Sequence, residues 1–161
     1  MEADGLYGNL TALGNPDYYC QIYNVPTDTR KQRIRKVLAA VRLSDNASDK
    51  VTAYSKGKRQ KLAMARAMVH DPDILILDEP NSGVDSSGQI ILNLDQSGKT
   101  IFVSSHNLDE VQRICNRTVL IHHGEMRLQG EPLQLQKEMG SDKIIIRIAG
   151  APKEDLFPII D

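Results

Sequence analysis

The clearest pattern in the sequence is a short apolar run, residues 74–77, that leads directly into two carboxylates and a proline. Such an unbroken run predicts a strand buried on both faces, as in a parallel sheet. Asp78 and Glu79 then lie at the carboxyl end of the strand, where open α/β sheets hold their ligands. Pro80 cannot supply the next ladder hydrogen bond and ends the strand. The pattern therefore predicts a buried strand with a polar site at its exit.

Upstream of this strand, apolar residues recur at helical spacing. The first such segment, residues 10–23, contains Pro16, which predicts two short pieces or a kink. In the next segment Thr27 is a candidate N-cap, and the apolar positions between 34 and 41 share one face. We therefore expect helices before the strand.

The last helical segment before the strand, residues 61–70, is rich in Ala, Leu and Met, and Asp71 with Pro72 ends it. A Ser-x-Gly at positions 55–57 precedes this helix. Free backbone N–H groups and the helix dipole favour an anion there, and a serine hydroxyl adds a donor. A simpler interpretation is that the serine caps the helix and the glycine eases the turn. The residues alone leave both interpretations open.

Downstream, a second buried-strand run ends in Ser-Ser-His at 104–106, and a capping-box-like Asn107 begins the following helix. A hairpin follows, because two short strands flank a His-Gly turn. We predict the remaining elements at residues 86–96 (helix), 100–103 (strand), 118–122 and 125–129 (hairpin), 132–139 (helix) and 142–149 (strand).

Composition narrows the class of protein only slightly. The 161 residues suffice for one ordinary domain, and a net charge of -1 gives no electrostatic case for nucleic acid. No apolar run approaches the length of a membrane-spanning helix. Cys20 and Cys115 are expected to be free thiols in a reducing compartment.

Taken in order, these motifs resemble the ATP-binding subunit of an ABC transporter. The resemblance is greatest to the subgroup serving multidrug or antibiotic exporters, whose signature often reads Tyr-Ser-Lys-Gly, as at positions 54–57 here. It implies an α/β P-loop NTPase (ABC ATPase) fold, incomplete: a helical signature subdomain plus the C-terminal part of the parallel sheet with flanking helices. The expected divisions are 1–70 (Q-loop and signature), 71–140 (Walker B, D-loop and switch histidine) and 141–161 (strand and tail).

The resemblance implies roles around the strand ends, with ATP and Mg²⁺ as cofactors. Asp78 matches the Walker B aspartate that helps to hold Mg²⁺. Glu79 matches the catalytic glutamate that polarises the attacking water. His106 matches the switch histidine, which contacts the γ-phosphate.

Further matches concern nucleotide binding. Ser55 and Gly57, with the basic Lys58, match the signature that binds the γ-phosphate held by an opposite subunit. Asp85 matches the D-loop aspartate at the dimer interface. Glu2 falls where the family usually has the Q-loop glutamine.

Two departures bear on activity. The family places Gly-x-x-x-x-Gly-Lys-Ser/Thr before the Q-loop, and this complete motif does not occur in the sequence. The segment between Asp85 and Thr100 is also shorter than usual. Because phosphoryl transfer depends on positioned phosphates, we expect the isolated chain to have little or no ATPase activity.

The resemblance also implies partners: a membrane-spanning permease and a second ATPase subunit in a head-to-tail dimer, on the cytoplasmic face of the plasma membrane. No nucleic acid is expected. One alternative is a non-catalytic module that pairs with an intact ABC ATPase subunit through its signature face. Another alternative is a different kind of ATPase that shares the signature. A chromosome-maintenance ATPase should show long heptads, which are absent from the sequence, and a translation-associated one should show two such domains.

Overall fold

The fold is described from a computed structural model, which covers residues 5–80, 88, 90–92, 98–133 and 145–149. Three helices form before the first strand: α1 (Gly14–Ile22), α2 (Thr27–Ala40) and α3 (Lys56–Met68). Two short 3₁₀ turns, Ser44–Asn46 and Val51–Ala53, lie between α2 and α3. The predicted helical character of this part of the chain is confirmed.

Two local expectations about these helices are wrong. Pro16 does not break α1, because the helix begins at Gly14 and the proline occupies its first turn, where a missing N–H costs nothing. Thr27 is the first residue of α2 and not its cap. The cap position is Pro26, and no side chain completes a capping bond there.

The three helices enclose most of the core. The apolar faces predicted for α2 and α3 are buried, with Leu38 1% and Leu62 0% exposed. Asn15 is also fully buried, and its side-chain oxygen accepts a hydrogen bond from the Tyr7 N–H at 2.8 Å. Its amide donates to the carbonyls of Tyr7 and Thr11, both at 3.1 Å. Because its side chain makes all of these hydrogen bonds, burying Asn15 does not carry the cost of an unpaired polar group.

A five-stranded sheet follows, in the order β1-β2-β5-β3-β4. Only the β1–β2 pair is parallel, whereas the other three neighbouring pairs are antiparallel. The expected parallel sheet is therefore a mixed sheet in the described part of the chain. Its elements, with the helix α4 between β2 and β3, are β1 (Ile74–Asp78), β2 (Thr100–Ser105), α4 (Leu108–Ile114), β3 (Arg117–His122), β4 (Glu125–Gly130) and β5 (Ile145–Ala149).

The prediction that β1 is buried on both faces is wrong. Leu75 and Leu77 are buried, but Ile74 is 57% exposed and Ile76 is 77% exposed. The alternation arises because successive side chains of a strand point to opposite faces. Within the described residues, one face of β1 packs on the core, and the other remains largely open to solvent.

The strand β5 lies between β2 and β3, although it comes last along the chain. Because β5 is antiparallel to both neighbours, β2 and β3 run in the same direction. The run of isoleucines thus correctly predicts a strand but does not reveal its direction or its neighbours.

The predicted hairpin is confirmed as β3 and β4, paired from Thr118–Gly130 to His122–Glu125. His123 and Gly124 form its turn, with φ of 52° and 79°. Two consecutive positive φ values match the twist that a tight hairpin needs, and glycine adopts such a value without strain.

The contact between α1 and the segment before β1 is aromatic. The rings of Tyr23 and His70 stack with centroids 3.9 Å apart and an interplanar angle of 17°. Burial lowers the pKa of the His70 imidazole.

Candidate functional site

The carboxyl ends of β1 and β2 meet at one edge of the sheet. Asp78 is paired in parallel register with Ser104, and the chain continues to Glu79 on one side and His106 on the other. The sequence predicts polar residues at both exits, and this pairing places them side by side. Parallel neighbours bring their carboxyl ends together, so polar residues 26 or more positions apart become adjacent.

The carboxylate of Asp78 is exposed and held from one side. The Ser104 hydroxyl donates a short hydrogen bond to its Oδ1. In the described part of the chain, no group of three or more His, Cys, Asp or Glu side chains could hold a metal ion. A single carboxylate with a free oxygen suits Mg²⁺, which proteins bind through one or two carboxylates together with phosphate oxygens and waters.

Glu79 has an unusual backbone. Its φ of 45° is in the left-handed region, although it is not glycine and a proline follows it. Such a conformation costs about 1–3 kcal/mol and persists only where surrounding contacts determine it. Two contacts hold its N–H, which donates to the Ser104 carbonyl at 3.2 Å and to the Ser104 hydroxyl at 3.1 Å.

A third contact holds the other side of this peptide. The side-chain amide of Gln60, on α3, donates to the Glu79 carbonyl at 3.0 Å. The backbone of Glu79 is therefore anchored from β2 and from α3.

The Glu79 side chain pairs with His106. Its Oε1 lies 2.8 Å from His106 Nδ1. This hydrogen bond, with the charge of Glu79 and a smaller contribution from Glu110, raises the pKa of the His106 imidazole. A half-buried carboxylate joined to an exposed histidine is an arrangement that can orient a water molecule and take its proton.

A second polar cluster lies at the start of α3. The Ser55 hydroxyl accepts a hydrogen bond from the Lys58 N–H at 3.3 Å, so the capping interpretation of Ser55 is confirmed. The Lys58 ammonium lies 5.6 Å from the centroid of the Tyr54 ring. Ser55 and Lys56 are exposed at this helix start. The N–H groups of the first turn and these lysines fit a phosphate group, and that role remains a prediction.

The predicted residues thus fall into two clusters. Asp78, Glu79 and His106 are brought together. In the described residues, no hydrogen bond or ion pair joins Ser55 or Gly57 to that group. Glu2 and Asp85 lie outside the residues that the structure describes.

Sequence reasoning missed Gln60. It lies in a run of lysines, arginine and glutamine that is typical of a solvated helix face. Its partner is 19 residues away along the chain. The only available signal was its place between the Ser-x-Gly and the helix core.

Both cysteines are free thiols, as expected. In the described part of the chain, no helix has the length and hydropathy required to cross a membrane.

An α/β sheet with Asp-Glu and Ser-Ser-His at adjacent strand ends, beside a helix begun by Ser-x-Gly, is the arrangement expected for the P-loop NTPase fold. Comparison with solved structures agrees. A structure described as the ATP-binding subunit of an ABC transporter superposes with a TM-score of 0.72 at 25% sequence identity, covering 83% of this chain and 57% of the other.

Sequence comparison defines the family. A family model described as ABC transporter matches residues 1–82. The ABC transporter ATP-binding protein NatA of Bacillus subtilis is 38% identical over 131 residues, which are 78% of this chain and 53% of NatA. The linearmycin resistance ATP-binding protein LnrL of the same organism is 32% identical over 145 residues, 87% of this chain and 47% of LnrL.

The chain belongs to the ABC transporter family of ATP-binding proteins. The expected fold, that of an ABC ATPase domain, is confirmed. The chain spans about half the length of the curated relatives it matches.

Proposed function

We propose that the chain is part of an ATP-hydrolysing subunit that powers an ABC transporter, and that these 161 residues do not turn over ATP on their own. The observation that supports hydrolysis is the Glu79–His106 pair at 2.8 Å, next to the Asp78 carboxylate. Asp78 would help to hold Mg²⁺, which neutralises charge on the phosphates. Glu79 would orient the attacking water and accept its proton.

His106 has two roles in this proposal. Through Nδ1 it holds the Glu79 carboxylate in place. Its exposed ring would also contact the γ-phosphate, and the raised pKa favours the cationic form that an anion prefers.

The proposed inability to hydrolyse ATP alone concerns the groups that would position its phosphates. Catalysis of phosphoryl transfer consists almost entirely of positioning and electrostatic stabilisation. The sequence contains no complete Gly-x-x-x-x-Gly-Lys-Ser/Thr loop to hold the β- and γ-phosphates opposite Asp78. Its Gly-Lys-Thr at 98–100 lacks the first glycine of that motif and leads into β2.

Partners extend the proposal. A second ATPase subunit would face the start of α3 in a head-to-tail dimer, with Ser55, Gly57 and Lys58 on its nucleotide. Asp85 would lie at that interface, and Glu2 would contribute near the metal. A membrane-spanning permease would place the assembly at the cytoplasmic face of the plasma membrane.

A second candidate is a non-catalytic module that pairs with an intact ABC ATPase subunit. The observation that favours it is the exposed start of α3, where Ser55 caps the helix and lysines flank it. Such a module could bind a partner's ATP without hydrolysing any.

Calorimetric titration of Mg-ATP into the purified chain tests these proposals. The variants are Asp78→Ala and Ser55→Ala, with Asp45→Ala and Ser48→Ala as matched controls at exposed positions. No heat at millimolar ATP would support a partner-dependent chain. Saturable binding weakened by Asp78→Ala would show that the chain forms a phosphate site by other means. Binding weakened only by Ser55→Ala would favour the module.

A turnover assay completes the test. ATP hydrolysis at a rate usual for enzymes, lost in Glu79→Gln, would contradict the proposal that the chain is inactive alone.

A further inference from the structure

We propose that Gln60 is a positioning residue that holds Glu79 in its working conformation from helix α3. This inference rests on the role proposed for Glu79 above. It concerns a residue outside the strand ends and outside the Ser-x-Gly motif.

The geometry around Glu79 is a three-point attachment. The N–H donates to Ser104 of β2, the carboxylate pairs with His106, and the carbonyl accepts from Gln60 at 3.0 Å. Ser104 and His106 both come from the end of β2. Gln60 is therefore the attachment that reaches Glu79 from a different element.

The attachment matters because of the backbone that it holds. A left-handed φ of 45° at a non-glycine residue is not the conformation that the chain adopts by default. The residue before a proline is normally extended. If its carbonyl lost the bond from Gln60, the peptide would be free to rotate toward the extended region. The carboxylate would then move away from His106.

Gln60 also connects the two polar clusters within one chain. It lies on α3, five positions after the N-cap Ser55, which is about 7.5 Å at 1.5 Å per residue. Because Gln60 and the start of α3 belong to one continuous helix, a shift of that helix would also shift the hydrogen-bond donor of Gln60. The position of α3 therefore helps to determine the position of the Glu79 carbonyl.

The pKa of His106 measures the position of Glu79 without any nucleotide. The four histidines can be titrated by NMR, and the Glu79→Gln variant gives the full effect of removing the carboxylate charge. We expect Glu79→Gln to lower the pKa of His106, because the carboxylate is what raises it.

The decisive variant is Gln60→Met, which keeps the length of an unbranched helix-forming side chain and removes the donor. We expect it to lower the pKa of His106 by at least half of the fall seen in Glu79→Gln. Gln32→Met, at an exposed position of α2, is the matched control and should leave that pKa unchanged. His70, near the end of α3, should titrate as in the wild type, which shows that the helix is intact.

Two results would overturn the proposal. One is an unchanged His106 pKa in Gln60→Met when Glu79→Gln lowers it. The other is an unchanged pKa in both variants, since Glu79 would then not be held against His106 at all.

A second measurement is available if Gln60→Met does not fold. In the wild-type chain, a scalar coupling through the hydrogen bond should link the Gln60 side-chain nitrogen to the Glu79 carbonyl carbon. Its absence would overturn the proposal. Neither measurement uses ATP, so ATP turnover by the isolated chain would contradict the proposed function and leave this inference standing.

Discussion

The helical part of the molecule, residues 6–69, and the sheet part, residues 74–149, differ in how completely they are covered. In the first part, α2 and α3 bury their apolar faces, with Leu38 1% and Leu62 0% exposed, whereas α1 leaves Tyr18 39% and Ile22 53% exposed. In the second part, large apolar side chains remain on the surface of the strands. The exposed ones are Ile74, Ile76 and Met126.

The difference separates stability from chemistry. Packing stabilises the helical part, whereas Asp78, Glu79 and His106 lie at strand ends of the less covered part. Among the described residues, the hydrogen bond from Gln60 to Glu79 is a contact that joins the two parts at the site. Four predictions test how far this contrast holds.

The largest effect is expected for Leu38→Ala in the helical part. Leu38 is 1% exposed, so truncation removes buried surface and leaves a cavity. We expect the free energy of unfolding to fall by about 2–5 kcal/mol, measured by urea denaturation. Leu13→Ala, at a side chain 39% exposed, should cost much less. Equal losses at the two positions would mean that burial does not determine the cost of truncation in the helical part.

A smaller effect is expected for Asn107→Ala in the sheet part. The Asn107 side chain accepts hydrogen bonds from the N–H groups of Asp109 and Glu110 at the start of α4. Losing this cap should cost about 1 kcal/mol in the same measurement. Asn9→Ala, at an exposed turn, is the control, and a cap with no cost would mean that α4 adds little to the sheet part.

The stability of the chain is expected to depend on pH through His70, which lies between α3 and β1. Burial lowers the pKa of His70, with Lys99 and Arg33 also lowering it and Asp71 opposing them. The unfolded chain then binds more protons, so His70 lowers stability as pH falls through about 6.5. His106 has the opposite effect on stability. Because its pKa is raised in the folded chain, the stability that it contributes is lost as pH rises above about 6.5. Thermal melts of wild type and His70→Gln should diverge as pH falls from 7 to about 5.

The smallest effect is expected for Ile76→Ala. Because this side chain is 77% exposed, the free energy of unfolding should change by no more than about 0.5 kcal/mol. Leu75→Ala, at the neighbouring buried position, is the contrasting variant. A large loss at Ile76 would mean that its face is covered in solution.

Sequence reasoning predicted the helices well because a helix shows its buried face through a repeated apolar stripe. It predicted the strand exits equally well, since Asp78 and His106 both follow apolar runs. It failed on the burial of β1, because four consecutive apolar residues do not show which face has a neighbour. It also failed on Gln60 and on the antiparallel β5, whose partners lie far away along the chain.

The position of β5 has a consequence for the order of folding. The bonds of α1, α2 and α3 join nearby residues and can form as soon as those residues exist. The centre of the sheet cannot form as early, because residue 101 pairs with residue 149, which is synthesised much later. During synthesis, the strand that ends beside the proposed hydrolytic carboxylate would therefore keep one edge unpaired until the isoleucine-rich segment had emerged, and crowding or a chaperone would act in that interval.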